Sequence, residues 1–139
     1  MRLMWGKSGI ATILAVIALL AMAACGEQAK WQVLSPQEVQ DLFAGSTVSG
    51  HHEVYGYDFV SYYDSRGWFH SDQGEERGMH DGKWWTVSGE NNICIHWAPE
   101  SGDLCRRIVR GRDGRYLKLK GSKTVVTYWK FQRGTLKER

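Results

Sequence analysis

The stretch from Gly82 to Cys105 constrains the fold more than any other part of the chain. Two runs rich in aromatic and β-branched residues, Gly82–Val87 and Ile93–Trp97, are separated by a polar turn, and a second turn precedes Cys105. Such runs, bounded by turn residues, are typical of strands joined by hairpins. The pattern predicts three consecutive strands, with Cys94 and Cys105 facing each other across the second hairpin.

Pairing Cys94 with Cys105 also determines which side chains share a face of this hairpin. Neighbouring side chains of a strand point to opposite faces. The disulfide then shares its face with polar residues, namely Asn92, His96 and Arg107. The opposite, core face carries the apolar residues Ile93, Ile95, Trp97, Leu104 and Ile108. Arg106 interrupts the apolar pattern on that core face.

The N-terminal residues predict export. Residues 1–24 combine a basic start, an apolar run and small residues before Cys25, as an export signal does. Small residues directly before Cys25 resemble the lipobox of bacterial lipoproteins, whose cysteine is acylated. We therefore expect a lipid anchor at Cys25 that holds the protein in the cell envelope, facing the periplasm; the alternative is a secreted soluble protein. Cys94 and Cys105 remain as an even pair in an oxidising compartment and should be bonded.

The remaining chain is short enough for one domain with one core. We expect a tether over residues 25–33 and a β domain over residues 34–139, which begins with a helix over residues 35–44. Ser35 is a suitable N-cap, Pro36 suits the first helical position and Glu38 completes a capping box. Short strands with regular turns follow, which indicates a mainly β fold: one small antiparallel barrel or meander of lipocalin or calycin type.

Several short motifs carry a family resemblance. They are the run Leu42–Gly50, the pair Tyr62-Tyr63 before an Asp-x-x-Gly turn, Gly82-x-Trp84, and Cys94, Trp97 and Cys105. Together they resemble a family of small exported bacterial proteins, domain of unknown function 995. The resemblance implies export, a disulfide and a calycin-like barrel, and it implies no established activity.

Catalytic and metal-binding patterns are absent from the sequence. It contains no nucleophile elbow, phosphate loop, H-E-x-x-H motif or dinucleotide fingerprint, so we predict neither an enzyme nor a cofactor. The acidic loop with Asp72, Glu75 and Glu76 reads as a solvated turn, and a hydrolase that uses it is the weakest hypothesis. His51 and His52 are adjacent and point to opposite faces of a strand, so no metal site is predicted.

The aromatic residues lead to the first functional hypothesis. They either fill the barrel or line a cup for one small amphipathic ligand. In the second case Tyr57, Trp84 and Trp97 contact the ligand, and Arg106 on the inner wall anchors its carboxylate or phosphate. Otherwise Arg106 lies at the rim or pairs internally with an acid such as Asp58. This hypothesis describes a non-catalytic envelope protein that binds an amphipathic or anionic ligand.

The charge distribution leads to an alternative functional hypothesis. From Gly26 to Asp103 four basic residues stand against 13 acidic ones, whereas from Leu104 to Arg139 there are 12 against 2. The alternative is an envelope protein-interaction module, an inhibitor or accessory subunit, whose partner contacts exposed basic strands through Arg107, Arg110, Arg112, Lys118 and Lys120. Export removes the usual reason to bind nucleic acid, so no nucleic-acid partner is expected.

Overall fold

A computed structural model describes residues 30–97 and 102–135 of the chain. The described residues form one helix, α1 (Pro36–Phe43), and nine strands. The strands are β1 (Trp31–Val33), β2 (Ser46–His52), β3 (Tyr57–Tyr63), β4 (Trp68–Asp72), β5 (Met79–Thr86), β6 (Ile93–His96), β7 (Asp103–Gly111), β8 (Tyr116–Lys120) and β9 (Lys123–Arg133).

Strands β2 to β9 form a closed antiparallel barrel of eight strands. Each strand pairs with the next along the chain, and β9 pairs with β2 to close the ring. Closure removes the exposed edges that an open sheet of this size would present. The predicted fold class, a small antiparallel barrel with one N-terminal helix, is therefore confirmed.

The disulfide and the register around it are also confirmed. Cys94 on β6 pairs opposite Cys105 on β7, and their sulfur atoms are bonded at 2.02 Å. In the same ladder Ile93 lies opposite Arg106 and Ile95 opposite Leu104. Arg106 therefore shares the inner face of the hairpin with apolar residues, as the alternation of side chains requires.

Strand β1 differs from the sequence-based expectation, which placed residues 25–33 in a tether. Val33 and Gln32 instead pair with Val109 and Arg110 of β7, beyond the part of β7 that β6 covers. Strands β1 and β6 pair with different parts of β7, and the buried side chain of Asn92 lies between these two parts. Its amide donates to the carbonyl oxygens of Leu34 and Ile108 and accepts from the backbone N–H of Ile108. These bonds satisfy backbone groups that a free tether would leave unpaired.

Helix α1 closes one end of the barrel. The predicted capping box is present, because the Ser35 hydroxyl accepts from the backbone N–H of Glu38 and the Glu38 carboxylate accepts from that of Ser35. Val39 and Phe43 are fully buried. The Phe43 ring makes edge-to-face contacts with Tyr63 at the end of β3, with Tyr128 in the middle of β9 and with Phe131 in its C-terminal half.

The predicted signal peptide over residues 1–24 and the predicted lipidation of Cys25 lie outside the described residues. Within the part of the chain that the structure describes, no helix has the length and apolarity needed to span a bilayer.

Candidate ligand-binding site

The end of the barrel opposite α1 is open and contains a cavity of about 480 Å³. It lies where β2, β6 and β8 end and where β3, β7 and β9 begin, whereas Phe43 contacts the other ends of β3 and β9. The volume is in the range of small-molecule sites. The cavity contains a mainly buried apolar patch, made of Ile93, Ile95, Val125 and Val126.

One wall of the cavity is a stack of rings between β2 and β3. The His52 imidazole stacks on the rings of Tyr55 and Tyr57, with centroids 4.9 and 5.1 Å apart. The Arg77 guanidinium lies 4.0 Å from the centroid of the Tyr57 ring. Such a wall offers flat apolar surface to a ligand. The Arg77 guanidinium stabilises the Tyr57 ring by a cation–π contact and lines a neighbouring groove that Tyr57 also borders.

A second aromatic group borders the cavity at the end of β6. The Trp97 indole packs edge-to-face against Phe69, with ring centroids 4.8 Å apart, and against His80 at 5.8 Å. The backbone of β6 approaches Gly82 closely at this point. A Cβ on Gly82 would come within 2.2 Å of the carbonyl oxygen of His96, so a larger residue there would displace the strand that carries Trp97.

Among the described residues, three Arg and Lys side chains on two neighbouring strands line the cavity. Arg106 comes from β7, and Lys118 and Lys120 come from β8. Lys118 lies opposite two core residues, Ile108 on β7 and Val126 on β9, and this pairing puts it on the inner face. Its ammonium lies 5.8 Å from the centroid of the buried Tyr128 ring.

None of the described residues that line the cavity is an aspartate or a glutamate. The carboxylates near its rim bind other groups. Asp58 pairs with His51 at 2.7 Å, Asp103 pairs with His96 at 2.8 Å, and Glu53 accepts from the Thr127 hydroxyl at 2.8 Å. The internal pair of Arg106 with Asp58, one of the sequence-based alternatives, is therefore not formed.

The local electrostatics reflect this excess of positive charge. Burial lowers the pKa of Lys118 to about 8, and the neighbouring Arg106 charge acts in the same direction. Burial also lowers the pKa of His52 below its ordinary value, with Lys118 and Arg77 adding to the effect. The smaller contributions to both shifts come from neighbouring positive charges, and these contributions favour an anion in the site.

Of the four residues predicted to contact a ligand, three line this cavity: Tyr57, Trp97 and Arg106. Trp84 does not line it. Its indole is buried at 3% exposure, donates from Nε1 to the carbonyl oxygen of Asp64 at 2.8 Å and packs against Tyr63, so it belongs to the core.

The five cations predicted to contact a protein partner do not share one exposed face. Lys118 and Lys120 line the cavity. Arg107 is partly buried, and its guanidinium pairs with the Glu90 carboxylate at 3.1 Å. Arg110 near the end of β7 and Arg112 in the following turn are exposed. The basic strands thus divide their charge between the interior and the surface.

A second, more open groove of about 490 Å³ lies beside the acidic loop. Its lining includes Asp58, Glu75, Glu76 and Arg77. Among residues 30–97 and 102–135, no group of three or more histidine, cysteine or acidic side chains is placed to hold a metal ion. Its described lining contains no aliphatic side chain, and it offers no set of metal ligands.

Comparisons of the chain with protein-family models, with curated proteins and with solved structures return no match. The resemblance to the exported family stays a prediction.

Proposed function

We propose that this chain is a non-catalytic lipoprotein of the bacterial cell envelope that binds a small amphipathic anion in the open end of its barrel. One observation carries the proposal: Arg106 and Lys118 face an apolar cavity whose described lining contains no carboxylate. Cations in such surroundings are costly unless they are paired. An anionic ligand supplies the missing partner.

The apolar part of the cavity supports a ligand with a hydrocarbon portion. Val54, Tyr55 and Leu104 present exposed apolar surface around the buried apolar patch, and each methylene that a ligand buries there contributes about 0.8 kcal/mol. The rings of Tyr57 and Trp97 extend this surface toward the rim. A ligand with its anionic group at Arg106 and its chain along these residues uses both halves of the site.

Envelope localisation rests on the predicted lipid anchor at Cys25. Growth with radiolabelled palmitate should label the wild-type protein and leave a Cys25→Ser variant unlabelled. Equal labelling of both would contradict the anchor, without bearing on ligand binding.

Isothermal titration of the purified protein with dodecanoate tests the ligand site. Dodecyltrimethylammonium carries the same chain with a cationic head and should bind at least about tenfold more weakly, because it meets Arg106 and Lys118. Arg106→Gln should weaken dodecanoate binding by about tenfold or more, since it removes a charge-assisted contact.

Arg110→Gln is the matched control, because Arg110 is exposed on the same strand and does not line the cavity. It should leave dodecanoate binding unchanged. Equal losses in both variants would show that net charge, and not the cavity, governs binding. Absence of dodecanoate binding to the wild-type protein would overturn the proposed function.

A further inference from the structure

The cations of the cavity form one cluster, because β7 and β8 present them on a single face. Ile108 lies directly opposite Lys118, and Arg107 opposite Leu119. Alternation along the two strands then turns Arg106 and Lys120 to the same inner face as Lys118. Side chains on one face of paired strands lie within reach of one another, also along the diagonal. A single ligand group can therefore contact more than one of these cations.

These cations have donors left over for a ligand. Arg106 donates from one terminal nitrogen to the carbonyl oxygen of Cys105 at 2.8 Å. A guanidinium has five N–H donors, and the described residues offer no further acceptor to those of Arg106. Within residues 30–97 and 102–135, neither Arg106, Lys118 nor Lys120 forms an ion pair with a carboxylate.

The number of charges distinguishes between classes of anion. A carboxylate brings one negative charge and two oxygens, and would leave at least one of Arg106 and Lys118 uncompensated in the cavity. A phosphate monoester carries about −1.5 to −2 charges at pH 7 and three free oxygens. It can neutralise both cations and accept hydrogen bonds from each.

We infer that the ligand of this cavity is a phosphate monoester attached to an apolar group, held by Arg106 and Lys118 together, with Lys120 at the rim. This inference rests on the proposed function and specifies its ligand class. Free inorganic phosphate is dianionic as well, and it is the second source of this chemistry that the experiment has to distinguish.

Matched alkyl compounds separate these possibilities. The purified protein is titrated calorimetrically at pH 7, below micelle-forming concentrations, with dodecyl phosphate, dodecyl sulfate and inorganic phosphate. Dodecyl sulfate has the same tetrahedral head and chain but one charge. Dodecyl phosphate should bind at least about tenfold more tightly than dodecyl sulfate, and inorganic phosphate far more weakly than either.

A substitution at Lys118 then tests whether this residue causes the preference for dodecyl phosphate over dodecyl sulfate. Lys118→Met keeps an apolar stem and should reduce the preference for phosphate over sulfate to about threefold or less. The control Lys130→Met removes an exposed lysine of β9 outside the cavity and should keep the full preference.

The pH profile provides an independent readout. Binding of dodecyl phosphate should weaken below about pH 6, where its second proton returns. It should also weaken as the pH rises above about 8, where the free protein loses the Lys118 charge. Dodecyl sulfate, whose head group does not titrate, should show the loss at high pH and no loss below pH 6, where protonation of His52 adds positive charge to the cavity.

The outcomes separate the inference from the proposed function. Equal affinity for dodecyl phosphate and dodecyl sulfate, or a full preference in Lys118→Met, would overturn the phosphate inference and leave the amphipathic-anion site intact. Binding of inorganic phosphate as tight as that of dodecyl phosphate would identify a free-phosphate site. It would overturn the inference that the ligand carries an apolar group. Binding of none of the alkyl anions would overturn the proposed function itself.

Discussion

The two ends of the barrel are built from the same strands and differ in what fills them. At the closed end, the helix inserts Phe43 among aromatic rings, and Phe43 and Tyr128 are 0% and 1% exposed. At the open end, Tyr55 is 67% exposed and Leu104 39% exposed, both around a cavity that contains two lysines. The closed end is packed as a protein interior is. The open end leaves apolar and charged surface available, so stability and binding are assigned to opposite ends of one sheet.

The largest effect is expected at the closed end. Phe43→Ala should lower the free energy of unfolding by about 3–5 kcal/mol, because it removes a fully buried ring and leaves a cavity. Leu104→Ala at the open end should cost less than about 1 kcal/mol, because Leu104 is partly exposed in the wild type. Urea unfolding of both variants checks the difference. Equal losses would mean that the open end is packed like the closed one.

The disulfide should matter for stability and little for binding. Replacing Cys94 and Cys105 together by alanine should lower the free energy of unfolding by about 3 kcal/mol, since it releases the constraint on the unfolded chain. Both residues lie on the outer face of the hairpin that carries Arg106 inward. Dodecanoate affinity should therefore stay within about twofold of the wild type. A loss of binding in a folded double variant would show that the bond positions Arg106.

The smallest effect on stability should have the opposite sign. Lys118→Met should raise the free energy of unfolding of the ligand-free protein at pH 7 by about 1 kcal/mol, because it removes a charge that burial disfavours. The same variant should bind the alkyl anions more weakly. Such a trade between stability and function is typical of binding sites.

The pH dependence of stability gives the sign of this effect directly. The pKa of Lys118 is lowered from 10.5 to about 8, so between these values the unfolded chain binds more protons than the folded protein. The wild type should therefore gain stability relative to Lys118→Met as the pH rises from 8 to 10.5. A constant difference over this range would contradict the placement of Lys118 in the cavity.

The fold was largely predictable because its signals are local. Ser35, Pro36 and Glu38 specify the helix start within one turn, and the cysteine pair specifies a hairpin register that places Arg106 inside. Strand β1 was missed, because three residues of edge strand carry too little pattern to distinguish them from a tether. Its pairing depends on Asn92, a side chain 58 positions along the chain from Leu34.

The candidate site was predictable only in part. The excess of basic residues in the C-terminal strands predicts an exposed basic face that includes Lys118 and Lys120. The structure places Lys118 on the inner face, because it pairs with Ile108 and Val126 across two strands, whereas Lys120 borders the cavity and stays exposed. Only long-range pairing decides that orientation. The sequence also predicts that both Trp84 and Trp97 contact the ligand. Trp97 lines the cavity, whereas Trp84 packs in the core.

The most direct test of the division between the two ends is a ¹H–¹⁵N NMR titration of the purified protein with dodecyl phosphate. We expect the shifts to concentrate in the open end, at Arg106, Lys118 and the indole N–H of Trp97. The backbone signals of Val39, Phe43 and the closed end should stay in place. Shifts that instead cluster at exposed Arg110 and Arg112, with the cavity residues unchanged, would contradict the binding site and indicate the basic surface.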